Sequence, residues 1–149
     1  QDYRIRFALV LSDPAFSDVK HTLKYMKYSN KEITAISQMI KFKNAPISTK
    51  TDILYLLKDM SCDFMQYLNY REAYDLTSYD HALHIYQSII QNNDCYSLKQ
   101  LQINGKDMIA LGYTGKDISL YLNQLLNAVI EEKVINNKEK LIAYLQTIN

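Results

Sequence analysis

The sequence predicts an all-α fold, and three observations carry that prediction. Apolar residues recur at intervals of three and four along nearly the whole chain. No stretch alternates apolar and polar residues for long enough to propose a strand. Several periodic runs are preceded by a Ser, Thr or Asn that suits a helix start. Eight or nine short helices are expected, in a larger N-terminal bundle and a smaller C-terminal helical part.

Taken in order, Pro14 suits a first turn because it has no N–H to leave unpaired, and Phe16, Val19, Leu23 and Met26 form the stripe after it. Ser29 with Glu32 three residues later is a capping box, opening a helix striped by Ile33, Ile36 and Ile40. Ile53, Leu56, Leu57 and Met60 form the next stripe. Ser61 and Ser78 are further cap candidates, the second ahead of Ala82, Leu83, Tyr86, Ile89 and Ile90. Asn104 opens a short helix that Gly112 can close in the left-handed conformation, which costs glycine nothing. Thr114 is the cap expected for the clearest stripe, Ile118, Tyr121, Leu122, Leu125, Leu126, Val129 and Ile130. Asn137 precedes Leu141, Ile142, Leu145 and Ile148. The pattern is weakest after Asn92, so residues 1–92 read as one helical region, 93–103 as a connector and 104–149 as a second helical region.

At 149 residues the chain is long enough to bury a core, and 48% apolar against 22% charged residues is a folded protein's composition. Apolar runs such as residues 7–11 are too short to cross a bilayer, and no basic-then-apolar leader opens the chain, so no membrane partner and a cytoplasmic location are expected. The first residue is Gln1, which leads to the expectation of a piece from a longer polypeptide. Cys62 and Cys95 form no C-x-x-C and have no histidine at metal spacing, so two reduced thiols are expected. Net charge is +1, but residues 1–50 carry nine basic and four acidic side chains, and residues 51–100 carry three and seven. A basic first third is compatible with one face meeting phosphate.

Catalytic patterns are missing. There is no Asp-x-Asp pair for two-metal nucleotidyl transfer, no glycine-rich loop leading into Gly-Lys-Ser/Thr, and no His-Glu-x-x-His. His81 and His84 stand three apart, but two ligands do not make a metal site. Most of the thirteen tyrosines read as core-edge residues with buried rings and wet hydroxyls. Tyr113 is the one expected to be exposed for contact. Lys20, Lys24, Lys27 and Lys31 recur at four, three and four, with a helix break expected at Ser29 and Asn30; Lys41, Lys43 and Lys50 prolong this basic stretch.

All three glycines of the chain lie in "NGKDMIALGYTGKDI", residues 104–118. Gly105–Lys106 and Gly115–Lys116 put a glycine and then a lysine at two helix starts. Helix N-termini expose unpaired N–H groups and a partial positive charge that suit phosphate. On the residues alone, phosphate contact and plain helix punctuation both stay open.

The segment "LQINGKDMIALGYTGKDISLYLNQLLNAVIEEKVINNKEKLIAYL" resembles the C-terminal segment of bacterial CCA-adding enzymes, the class II tRNA nucleotidyltransferases related to bacterial poly(A) polymerases. "LKYMKYSNKEI", residues 23–33, is similar to a segment in the middle of those enzymes. Thr114 stands where the family often has proline, Ser119 where it often has a second glycine, and Glu132 and Lys133 where many members place glycine. The resemblance implies a parent enzyme with a catalytic head, a nucleotide-selecting neck, and helical body and tail domains that hold tRNA. This chain would be body and tail, binding the acceptor stem and TΨC region while the missing head adds C, C and A. It implies no cofactor here, with Mg2+, CTP and ATP in the head and neck, and no catalysis by the fragment alone. The implied tRNA contacts are Gly105, Lys106, Gly115 and Lys116; Tyr113, Thr114, Lys24, Lys27 and Lys31 join them from the residue reading. The alternatives are a helical protein-interaction scaffold, and a metal-dependent hydrolase at His81 and His84.

Overall fold

The computed structural model describes residues 2–148; Gln1, behind the expectation of a longer polypeptide, and Asn149 lie outside them. The described residues form nine helices and no strand: α1 (Tyr3–Leu11), α2 (Val19–Tyr25), α3 (Asn30–Lys41), α4 (Lys50–Asp59), α5 (Phe64–Asp75), α6 (Asp80–Gln91), α7 (Gly105–Ala110), α8 (Lys116–Ile130) and α9 (Lys138–Leu145). The all-α expectation is met. The chain divides into two compact units, residues 1–88 and 89–149, with the division falling inside α6.

In the first unit α1 packs on α3 and α5, and α2 packs on α3. Ile5, Leu11, Leu23, Ile36, Met39, Ile53, Phe64 and Leu68 fill its core, the residues that the helical period places on one face of each element. Each such side chain contributes roughly 1.5–3 kcal/mol on burial. Tyr67 and Tyr70 are wholly buried, and their hydroxyls are satisfied. Tyr67 donates to the Phe42 carbonyl at 2.9 Å, while Tyr70 bonds Ser12 at 2.6 Å. Arg71, only 7% exposed, takes a position on this face that the period would give to an apolar residue. Its guanidinium is fully engaged, by Asp75 at 2.8 Å, the Ala45 carbonyl and Tyr67 at 2.9 Å each, and Tyr79 at 3.1 Å. Burial works against the charge, but the bonds from Asp75 and Tyr67 outweigh it and raise the Arg71 pKa.

In the second unit α7 and α9 each pack on α8 around Ile103, Met108, Leu125, Leu126, Ile130, Leu141 and Leu145. Within residues 93–103, Cys95, Leu101 and Ile103 are buried. The Asn136 side chain ties this stretch down: its oxygen accepts from the Gln102 amide at 3.0 Å, and its nitrogen donates to the Gln100 carbonyl at 2.9 Å.

Helix starts follow the cap residues in part. Ser29 with Glu32, and Asn104 with Asp107, form reciprocal capping boxes, and Asn137 caps α9. Four expected starts move. Pro14 lies in the turn before α2, which Asp18 caps by accepting from the His21 amide at 2.9 Å, so Phe16 precedes the helix. Asp63, nearer than Ser61 to the apolar run, caps α5 by accepting from the Gln66 amide at 2.8 Å. Ser78 sits just outside α6, its hydroxyl bonded to Asp80. Thr114 yields the N-cap of α8 to Gly115.

Four helices end alike, with a residue at positive φ whose two flanking bonds close the last turn. For α7 this is Gly112 (φ 94), as the sequence predicts, with Tyr113 N–H on the Met108 carbonyl and Gly112 N–H on that of Ile109. Lys27 (φ 61), Asn93 (φ 53) and Glu132 (φ 56) do the same for α2, α6 and α8.

Candidate nucleic-acid interface

The sequence-predicted contact residues fall in both units, and each group is described by itself. In the second unit the two glycine-lysine starts differ. At α7 two first-turn amides are already satisfied, since the Asn104 side-chain oxygen accepts from Lys106 N–H at 2.8 Å and Asp107 N–H at 3.4 Å. The Asp107 carboxylate in turn accepts from the Asn104 amide and pairs with Lys138 at 2.6 Å. The Lys138 ammonium and the Asn104 amide hold the Asp107 pKa below its usual value. Gly105 is half-buried, and a Cβ there would lie 3.8 Å from Ile118, an ordinary contact.

At α8 no side chain caps the helix. Gly115 (φ 56, ψ −126) is exposed with open space around it, so a ligand's backbone can approach the uncapped turn. Lys106, Thr114 and Lys116 are exposed, and neither lysine has an ion-pair partner among the described residues. Tyr113, expected to be exposed, is instead half-buried, with its ring tilted against Tyr121 at 4.8 Å between centroids. The bonds that close α7 draw residue 113 back toward its own helix. The tyrosine that stands out in solvent is Tyr25, 84% exposed at the end of α2.

In the first unit, Lys24, Lys27 and Lys31 do not line one cavity. Lys24 lines a groove between α2 and α3, together with Lys20 and Lys41. Lys31 lines a neighbouring cleft with Arg4, Cys62 and Asp63, which shares Asn30 and Thr34 with the groove. Lys27 sits between them in sequence, exposed and in the left-handed conformation that ends α2. The neighbouring acids serve the backbone: Asp18 caps α2, and Glu32 bonds Ser29 and accepts from the Tyr3 hydroxyl. Those bonds, from Ser29 first and then Tyr3, bring Glu32 down to about 2. Sequence reasoning passed over Ser37 and Gln38, which line the α2–α3 groove from the α3 side; polar residues in a helix interior carry no sequence signal of what they face.

Among the described residues no group of three or more His, Cys, Asp and Glu could hold a metal, and His81 and His84 are exposed. No helix there is long and apolar enough to cross a membrane. The cysteines are free; burial raises the pKa of both, that of Cys62 to about 11, which keeps them as unreactive thiols at neutral pH.

With this geometry in hand, comparison with known families matches residues 6–145 to the family described as tRNA nucleotidyltransferase domain 2, putative. No curated protein and no solved structure matches the chain.

Proposed function

This chain belongs to the tRNA nucleotidyltransferase domain 2 family, and from that premise we propose that it is the tRNA-holding body and tail of a class II CCA-adding enzyme. In this reading the chain grips the acceptor stem and TΨC region by shape and phosphate. A head and neck outside this chain bind Mg2+, CTP and ATP and add C, C and A. Duplex RNA hides its base edges in a deep groove and offers backbone and 2′-hydroxyls, so little sequence preference is expected.

The observation that carries the reading in this structure is the start of α8, which is exposed, has no side-chain cap and is followed by Lys116, with no ion-pair partner among the described residues, and then by the first-turn carboxylate of Asp117. Anions favour a helix N-terminus, and a glycine there removes the side chain that would hold a phosphodiester away. The start of α7 is self-capped and offers its lysine side chain more than its amides.

The test is a tRNA titration at several salt concentrations. About three or four phosphate contacts give a log–log slope near 3 in magnitude. The protein alone should add no nucleotide from CTP or ATP. Lys116→Ala should weaken binding more than Lys106→Ala, with neither unfolding the protein. A slope near zero would overturn the reading. A second reading has one observation in its favour: Ile109, Leu111 and Leu120 are 61%, 44% and 54% exposed. An apolar surface of that kind suits a protein partner, and a stable protein complex without tRNA binding would establish that reading instead.

A further inference from the structure

The groove between α2 and α3 has a donor chemistry that the glycine turn lacks. Its volume is about 630 Å3, and its lining includes Lys20, Lys24, Thr34, Ser37, Gln38 and Lys41, with no carboxylate in it. None of the three lysines has an ion-pair partner among the described residues. Three other cations of this unit are tied up: Arg4 pairs with Asp2, Arg71 with Asp75, and Lys43 donates to the Ser12 carbonyl.

The uncharged groups are arranged for donation as well. The Gln38 side-chain oxygen accepts from the Ser61 and Cys62 amides at 2.7 and 2.9 Å, which leaves the NH2 end of that amide to donate. Ser37 is the independent observation. Its hydroxyl is buried and has no hydrogen-bond partner, a state that costs stability unless something else supplies the bond. Three ammonium groups, an amide NH2 and an orphan hydroxyl match a ligand rich in acceptors.

We propose that the α2–α3 groove binds the phosphodiester backbone of RNA, with Lys20, Lys24 and Lys41 neutralising phosphates and Gln38 and Ser37 donating to phosphate or ribose oxygens. The proposal rests on the tRNA-holding reading and gives it a second place of contact, in the first unit. The lining cations are all lysines, which act on phosphate as point charges and set no planar geometry on the ligand. The lining also lacks the aromatic anchors that dominate protein interfaces.

The test compares the wild-type chain with Lys20→Gln/Lys24→Gln/Lys41→Gln, using a labelled tRNA transcript from about 50 to about 200 mM salt. The groove's added contacts raise the wild-type slope to about 5 or 6 in magnitude, and the triple variant should lose about 2 to 3 of it. Lys24 and Lys41 also lie in the last turns of their helices, where a cation suits the dipole. A purely local role would therefore lower thermal stability and leave the slope alone. Ser37→Ala separates the two roles more sharply. The free protein should hold or gain thermal stability when the orphan hydroxyl is removed, and tRNA affinity should fall by about threefold or more.

Wild-type affinity and slope in the triple variant, with wild-type protein still binding tRNA, overturns the groove and leaves the tRNA-holding reading standing. No tRNA binding by the wild type overturns both. A polyglutamate chain that competes as well as tRNA, or amide shifts around Ser37 with inorganic phosphate but none with tRNA, overturns RNA as the ligand.

Discussion

Gly115 and Glu132 show how much a single backbone torsion decides here. Gly115 holds φ 56 and ψ −126, which side-chain-bearing residues avoid, whereas Gly105 has no such constraint and room for a methyl group. Gly115→Ala should cost about 1–3 kcal/mol, and Gly105→Ala should be neutral or stabilising; chemical denaturation of both variants checks the contrast. Glu132 occupies at φ 56 a position that the resemblance fills with glycine. Glu132→Gly should therefore stabilise the protein by about 1 kcal/mol, read in the same experiment. Arg71 is the other decisive residue. Removing a buried, fully bonded guanidinium takes the cation from Asp75 and a donor from the Ala45 carbonyl, Tyr67 and Tyr79, so Arg71→Ala should destabilise by about 3–5 kcal/mol, seen as a lower denaturation midpoint. A change below about 1 kcal/mol would mean that the network contributes little to the fold.

At the scale of helices, the sequence announced some boundaries and concealed others, for physical reasons. Ser29, Asn104 and Asn137 were legible because each stands directly before its helix and can bond back to the first turn. Ser61 and Pro14 misled because aspartates nearer the helices, Asp63 and Asp18, make the better caps. The end of α7 was readable from Gly112. The matching ends at Lys27 and Glu132 were not, since neither residue type advertises positive φ. The candidate site divides the same way. Gly115–Lys116 could be found from spacing, while the groove of Lys20, Lys24 and Lys41 arises only when α2 packs on α3. The capping box of α3 also makes this element sensitive to acid. Bonds from Ser29 and Tyr3 lower Glu32 from 4.5 to about 2, and the Arg4 side chain lowers Asp2 from 3.8 to about 2. Both groups bind protons more weakly in the folded chain. Their stabilisation is complete above pH 4.5 and is lost as pH falls toward 2. The thermal midpoint should drop across that window, and Glu32→Gln should flatten the drop; an equal drop in that variant would remove Glu32 as a cause.

At the scale of the whole chain, both helical units carry lysines with no ion-pair partner among the described residues, while Asp18, Glu32, Asp63 and Asp107 are engaged in caps and internal pairs. The basic first third of the sequence is thus a real surface feature of the first unit, in the groove between α2 and α3. Membership in the tRNA nucleotidyltransferase domain 2 family supports the proposal that this chain holds RNA. Hydroxyl-radical footprinting of a tRNA transcript with this chain tests that most directly. The account predicts protection of backbone sugars in the acceptor stem and TΨC arm, weakening as salt rises. Protection confined to the anticodon arm, or none at saturating protein, would contradict it.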